Sequence, residues 1–211
     1  MSNSSKDLVD ELIGTVPGSR FDQVRNYRSV ARENIENAYQ ALFVSADETH
    51  VSLTERHVIA LFVAGLHNEP LLTAHYSGRL DKYVDNPEHL RNAATQEYKR
   101  GKAEGPFGRH APGSLSVKDH DGSGHLVTVE NRNVLGPRLA TALEHAHLLT
   151  FHPRDASPKA LERLLDVGWT VTAIVTISQL VSYLTFQVRV VSGLGHLATK
   201  LSQQPVHSQT A

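Results

Sequence analysis

Glu55, His75 and Arg189 are the side chains whose types and settings could handle protons or anions. Glu55 stands three residues after Ser52, the Ser-x-x-Glu spacing of a capping box, in which each side chain satisfies an orphan backbone donor at a helix start. Just ahead of an apolar helix it is also a candidate general base, although the capping box accounts for it without catalysis. His75 falls one helical turn after Leu71 on the same face. An imidazole there can take or give a proton near neutral pH, though packed or solvated histidines are commoner. Arg189 shares a narrow stripe with Ser178, Ser182, Thr185 and Ser192 by 3.6-residue counting, on a helix that is otherwise apolar. A buried arginine requires a carboxylate or a bound anion, because removing its partner costs on the order of 3–5 kcal/mol. Glu55 and Glu144 are carboxylates that could serve a structural ion pair, and a substrate carboxylate is the alternative. Gln179, Tyr183 and Gln187 form a second polar stripe, able to face a pocket or another subunit.

Two further sets have metal-like spacing. His145 and His147 are two apart, so on one helix they point away from each other and cannot chelate together. His152 follows the end of that helix, where solvated or capping roles are expected. Asp119, Asp121, Ser123, Gly124, Leu126 and Glu130 fall at the loop positions of a calcium-binding EF-hand. The flanks disagree: residues 105–113 cannot form the entering helix, and Val127-Thr128-Val129 reads as strand. A hairpin turn is the simpler account, and no metal site is expected.

Composition narrows the class. The 211 residues have a formal charge of −1, so no overall basic field favours nucleic acid or anionic lipid. Thirteen histidines suit a metal binder, a pH-sensitive protein or simply a histidine-bearing surface. There is no cysteine, which excludes disulfides, thiolate-bound zinc and thiol redox chemistry within the chain. Met1–Asp10 is polar and acidic, without the apolar region of a secretory signal. The run from Val171 is long enough to cross a bilayer, but Gln179, Gln187 and Arg189 interrupt it. It is therefore expected to be a buried helix of a cytoplasmic protein, with no membrane partner.

Helical periodicity and punctuation predict an all-α chain of about eight helices. Asp7–Ile13 is a short helix stopped by Gly14 and the Pro17-Gly18 turn. Arg20–Phe43 reads as one helix, and Ser52 caps another that is apolar all round from Val58 to Leu66. Asn68 is the expected cap of the next helix, with Pro70 in its first turn. Asn86-Pro87 opens a helix to about Lys102. Residues 101–124 are irregular, with a small hairpin expected within 114–129. Helices follow over about 131–149 and 158–166, then the long one capped by Thr170. The expected organisation is a tail and short helix over 1–19, one helical domain over 20–197, and a polar tail over 198–211. Within the domain, halves of about 20–104 and 130–197 flank a loop at 105–129 and hint at an internal duplication.

The stretch Leu53-Thr-Glu-Arg-His-Val-Ile-Ala-Leu-Phe-Val-Ala-Gly-Leu-His-Asn-Glu-Pro-Leu-Leu-Thr-Ala-His75 resembles the core motif of the carboxymuconolactone decarboxylase and alkyl hydroperoxidase D-like superfamily. Leu139–Leu194 resembles the second half of its peroxidase-related branch, in which "Leu-Leu-Thr", a proline, a short helix and a glycine precede a "Phe-x-x-x-Arg" helix. Asp7–Phe43, with Pro17-Gly18-Ser19 and Ala31-Arg32-Glu33, is similar to a subgroup of uncharacterised proteins carrying that domain. The resemblance implies an all-α fold assembling into dimers, trimers or hexamers, with pairing to a cysteine-containing relative as a further option. It implies a site of the form Glu…Cys-x-x-Cys…His. Counting back from His75, the cysteines fall on Asn68 and Leu71, and the glutamate falls on Glu55 or His57. With neither thiol present, the peroxidase cycle is lost, and Asn68 is left to cap and Leu71 to pack. What remains is acid–base chemistry on a small carboxylated molecule, resembling lactone decarboxylation. His75, with Glu55 or His57, would move the proton, and Arg189, Gln187 and Tyr183 would hold the substrate. The alternative is a non-catalytic binding or structural subunit. No cofactor is expected in either case.

Overall fold

A computed structural model of the protein describes residues 7–203, and among them it contains nine α-helices and no strand. The centre is α4 (Leu53–Leu66), whose residues from Arg56 to Leu66 are all buried. Its capping box is complete, with Ser52 and Glu55 each bonding the other's backbone N–H. A helix apolar on every side must be covered on every side, and α5 (Pro70–Arg79), α6 (Glu88–Arg100), α7 (Val129–Phe151) and α9 (Val171–Gln203) all pack on it. The one buried cation on α4, Arg56, is matched without a carboxylate. Its nitrogens donate to the carbonyls of Val51 (3.0 Å), Leu42 (3.2 Å) and Asp47 (2.7 Å), pinning the incoming segment.

The expected single helix over Arg20–Phe43 is divided. α2 (Arg20–Tyr27) and α3 (Ser29–Tyr39) meet at Arg28, which leaves helical geometry, and α3 runs into a wide π turn at Gln40–Val44. The break allows Arg25 on α2 and Arg32 on α3 to reach the same two carboxylates, Asp7 and Asp10, at the start of α1 (Leu8–Ile13). Asp7, Asp10 and Arg25 are buried, so this ionic cluster fastens the N-terminal helices together.

Asn68 is not the cap of α5. It sits in the left-handed region at φ 56°, and its side-chain oxygen accepts from Lys102 (2.8 Å). Buried Glu69 is the cap, its carboxylate accepting from the Leu72 N–H at 2.6 Å. A longer side chain one residue later does the capping because Pro70 occupies the first helical position.

The hairpin expected within 114–129 does not form. Ser114–Lys118 is a 3-10 turn, and Val129 begins α7 because Thr128 Oγ1 accepts from the Asn131 N–H (3.2 Å). The calcium-loop reading fails with it: Asp119 accepts from the His110 backbone (2.8 Å), and Glu130 lies in the first turn of a helix. α7 kinks at Gly136 (φ 76°), where Pro137 supplies no N–H to continue the ladder. α8 (Pro158–Asp166) ends before Gly168 (φ 90°), and Thr170 caps α9 through the Ala173 N–H (3.2 Å).

α9 continues to Gln203, so the expected polar tail is helical in its first part; residues 204–211 lie outside the described residues. It is long and apolar enough to cross a membrane, by length and composition, and half of its most apolar stretch is buried. The expected duplication into two halves is not confirmed by the helix lengths. α4, α5 and α6 have 14, 10 and 13 residues, whereas α7, α8 and α9 have 23, 9 and 33.

Candidate functional site

Spacing of four puts His75 and Arg79 on one face of α5, one turn apart. Facing them is Tyr39, at the last position of α3, where the helix widens. The Tyr39 hydroxyl lies 3.0 Å from His75 Nε2 and 3.1 Å from an Arg79 terminal nitrogen. Guanidinium nitrogens only donate, so the hydroxyl accepts from Arg79, and its own hydrogen is free for His75 in the tautomer that leaves Nε2 unprotonated. Burial, with Arg79 and His57 adding their charge, pushes His75 down to about 4. The imidazole is neutral at pH 7. Burial raises Tyr39, and the hydrogen bond and charge of Arg79 act against that. Tyr39 is buried, while His75 and Arg79 are half-exposed. Arg79 Nε is buried and has no partner among the described residues.

The other expected residues divide between this neighbourhood and plain structural work. His57 belongs to the core. Its Nδ1–H donates to the Leu53 carbonyl (2.7 Å), its ring stacks on Tyr83 (4.8 Å), and burial pushes it down to about 4. Gln187 and Tyr183 form a buried hydrogen-bond chain: Tyr76 donates to Gln187 (2.6 Å), Gln187 donates to Tyr183 (3.1 Å), and Tyr183 donates to the Ile35 carbonyl (3.4 Å). Phe43 packs against Tyr39, Tyr76, Tyr183 and His57, so this chain backs the Tyr39–His75 pair through an aromatic layer. Gln179, expected on the same stripe, is exposed.

Glu55 is taken up by structural bonds. Besides the capping box, it accepts from Arg138 Nε at 2.8 Å. Leu71 does not pack into the core but is 40% exposed. Arg189 overturns the expectation of a buried, paired arginine. It is exposed, and its one hydrogen bond among the described residues is to the Thr185 carbonyl (2.9 Å). α9 is not covered all round: Val175, Gln179, Ser182 and Phe186 share its open side. The stripe hydroxyls need no buried partner, because Ser178 and Ser182 each bond a carbonyl one turn back in their own helix. Glu144, the other carboxylate considered for Arg189, pairs with Arg132.

Tyr39 and Arg79 were missed by sequence reasoning. Arg79 was within reach, being four residues after His75. Tyr39 carried no signal, since its place follows from how α3 packs. A second polar group was missed as well. His145 and His147 do point apart, His145 towards Ser178 (3.3 Å) and His147 towards the Gly101 carbonyl (2.9 Å). His147 is joined there by His125 and His152, and His152 also ends α7 as its C-terminal cap. No group of three or more histidines and carboxylates among the described residues is arranged to hold a metal ion.

Compared with models of known protein families, with curated proteins and with solved structures, the chain matches none. The chemistry of the cluster stands on its own. A neutral imidazole, a phenol and a guanidinium in contact form a polar cluster in which Arg79 donates to the Tyr39 oxygen beside a His75 ring that stays uncharged at pH 7.

Proposed function

We propose that the chain is a cysteine-free relative of the carboxymuconolactone decarboxylase and alkyl hydroperoxidase D-like superfamily. Its chemistry is acid–base chemistry on a small carboxylated molecule, and it acts in the cytoplasm. The observation that carries this reading is the Tyr39 hydroxyl bridging His75 and Arg79 at 3.0 and 3.1 Å. In it, Arg79 takes the role first expected of Arg189: it meets the substrate carboxylate and lowers the cost of negative charge. His75 is the base, acting directly or through Tyr39. A thiol cycle is excluded because the chain has no cysteine.

The test is carbon dioxide release from a panel of small lactone and β-keto carboxylates by the pure protein. Tyr39→Phe, His75→Gln and Arg79→Gln should each lower turnover by roughly 10²-fold or more, the usual worth of a general acid or base, with the far-ultraviolet circular dichroism unchanged. Turnover that survives in all three variants, or none in the parent protein, overturns the reading.

A second reading is a non-catalytic subunit of a homo-oligomer (dimer, trimer or hexamer), or of an assembly with a cysteine-containing relative. What favours it is the open apolar side of α9, with Val171, Val175 and Phe186 exposed beside Leu161 and Leu165 of α8. Sedimentation velocity tests it. A strictly monomeric protein at high micromolar concentration counts against it.

A further inference from the structure

A cleft of about 430 Å³ opens between the second half of α7, the 122–126 segment and α8, away from Tyr39 and His75. His147 lines it, although this side chain is 3% exposed. The Gly101 carbonyl, 2.9 Å from Nε2, can only accept, so Nε2 carries the hydrogen and Nδ1 is left with a lone pair. Nδ1 has no hydrogen-bond partner among the described residues. The ring cannot turn easily. It is stacked on His125 (5.0 Å, 28°) and meets Phe151 edge-on at 5.1 Å. His125 Nε2 lies 3.1 Å from buried Glu97 without forming a hydrogen bond, and Glu97 accepts from Asn131, Thr128 and Arg100.

Charge distinguishes the rim from the floor. Glu144 lines the cleft but is answered by Arg132 and by the Val127 N–H. Asp155 lines it too, with a carboxylate oxygen 3.0 Å from His152 Nδ1. Arg163, exposed at the rim, is without an ion pair among the described residues. A cleft lined by both an exposed guanidinium and a buried, unpartnered ring nitrogen suits an anion that also carries a hydrogen to donate.

We propose that this cleft is a second small-molecule site, for a hydroxycarboxylate whose carboxylate pairs with Arg163 and whose hydroxyl donates to His147 Nδ1. Burial pushes His147 down to about 4, which keeps the acceptor form at neutral pH.

Malate and succinate, which differ by one hydroxyl, serve as probes. Each is titrated at pH 7.5 into the full chain labelled with nitrogen-15, following the imidazole nitrogens. Malate should move the His147 Nδ1 resonance and bind roughly 10-fold tighter than succinate, the worth of one hydrogen bond. Arg163→Gln, an exposed substitution that leaves the fold intact, should weaken both by about 10-fold or more. Arg79→Gln should leave both unchanged, which separates this site from the acid–base site. Silence of His147 Nδ1 up to tens of millimolar malate, equal affinity for the two probes, or an unaltered response in Arg163→Gln overturns the proposal.

Discussion

Arg138 Nε donates to Glu55 Oε1 at 2.8 Å, joining the first turn of α4 to α7 across 83 residues of chain. The same guanidinium donates to the Gly168 carbonyl (2.8 Å) and the His50 carbonyl (2.9 Å), and its central carbon stands 3.4 Å over the Trp169 ring. Trp169 returns a bond from its indole N–H to the Arg138 carbonyl (2.9 Å). Glu55 is thus one end of a clamp on the loops before α4 and α9, which is a structural rather than a proton-moving task.

Glu55→Ala removes a cap and an ion pair together and should cost about 1–3 kcal/mol of stability. Turnover per folded molecule should not change. Arg138→Lys should not rescue an Arg138→Ala loss, because an ammonium cannot serve three acceptors and a ring face at once. Denaturant midpoints of the single and double variants check both statements. Additive losses for Glu55→Ala and Arg138→Ala would sink the clamp.

Acid should weaken the fold in a defined window. Burial pushes His57, His75, His145 and His147 down to about 4 in the folded chain, whereas they titrate near 6.5 when unfolded. Between those values the unfolded chain binds more protons than the folded one, so stability falls as pH falls. It is fully present above pH 6.5 and is lost progressively towards pH 4. Each group contributes on the order of 1–2 kcal/mol, discounted for partial screening by solvent. At Glu97 burial alone acts upward, but its hydrogen bonds from Asn131 and Thr128 and the charge of Arg100 hold it below the usual carboxylate range. Its share is lost at lower pH still. Urea midpoints at pH 7.5, 6, 5 and 4.5 test this, and a flat profile contradicts it.

At the acid–base cluster, Arg79→Gln removes a neighbouring positive charge from His75. The His75 titration, followed by nitrogen-15 resonance, should move upward from about 4 while staying below the ordinary histidine value, because burial is the larger cause. No movement would mean that the guanidinium does not act on the ring.

The helices were legible where local chemistry alone decides them: the Ser52–Glu55 capping box, Pro158, Gly168 and Thr170 all do in the fold what their spacing predicts. Errors arose where a distant partner decides. The division at Arg28 accompanies the pull of Asp7 and Asp10 on Arg25 and Arg32, and Thr128 is drawn into helix capping beside Glu97 rather than into a strand. The candidate site was half legible. His75 was visible from its setting, but Tyr39 lies 36 residues away in sequence and joins it only through packing. Arg189 misled because apolar neighbours suggested burial, whereas one side of α9 is open.

Gly65 sets two effects of opposite sign against each other. In a helix interior, alanine is favoured over glycine by about 1 kcal/mol. At Gly65, however, a Cβ would sit 2.3 Å from the Tyr98 ring, a contact that the flat ring cannot relieve without moving α4 away from α6. Overpacking of this kind costs about 1–3 kcal/mol, so the steric effect should win and Gly65→Ala should be destabilising. Once Tyr98→Ala has opened the space, the same Gly65→Ala change should turn neutral or stabilising. Thermal midpoints of the four chains decide it: if Gly65→Ala raises the midpoint with Tyr98 still present, the close contact between α4 and α6 is not as tight as the ring position demands.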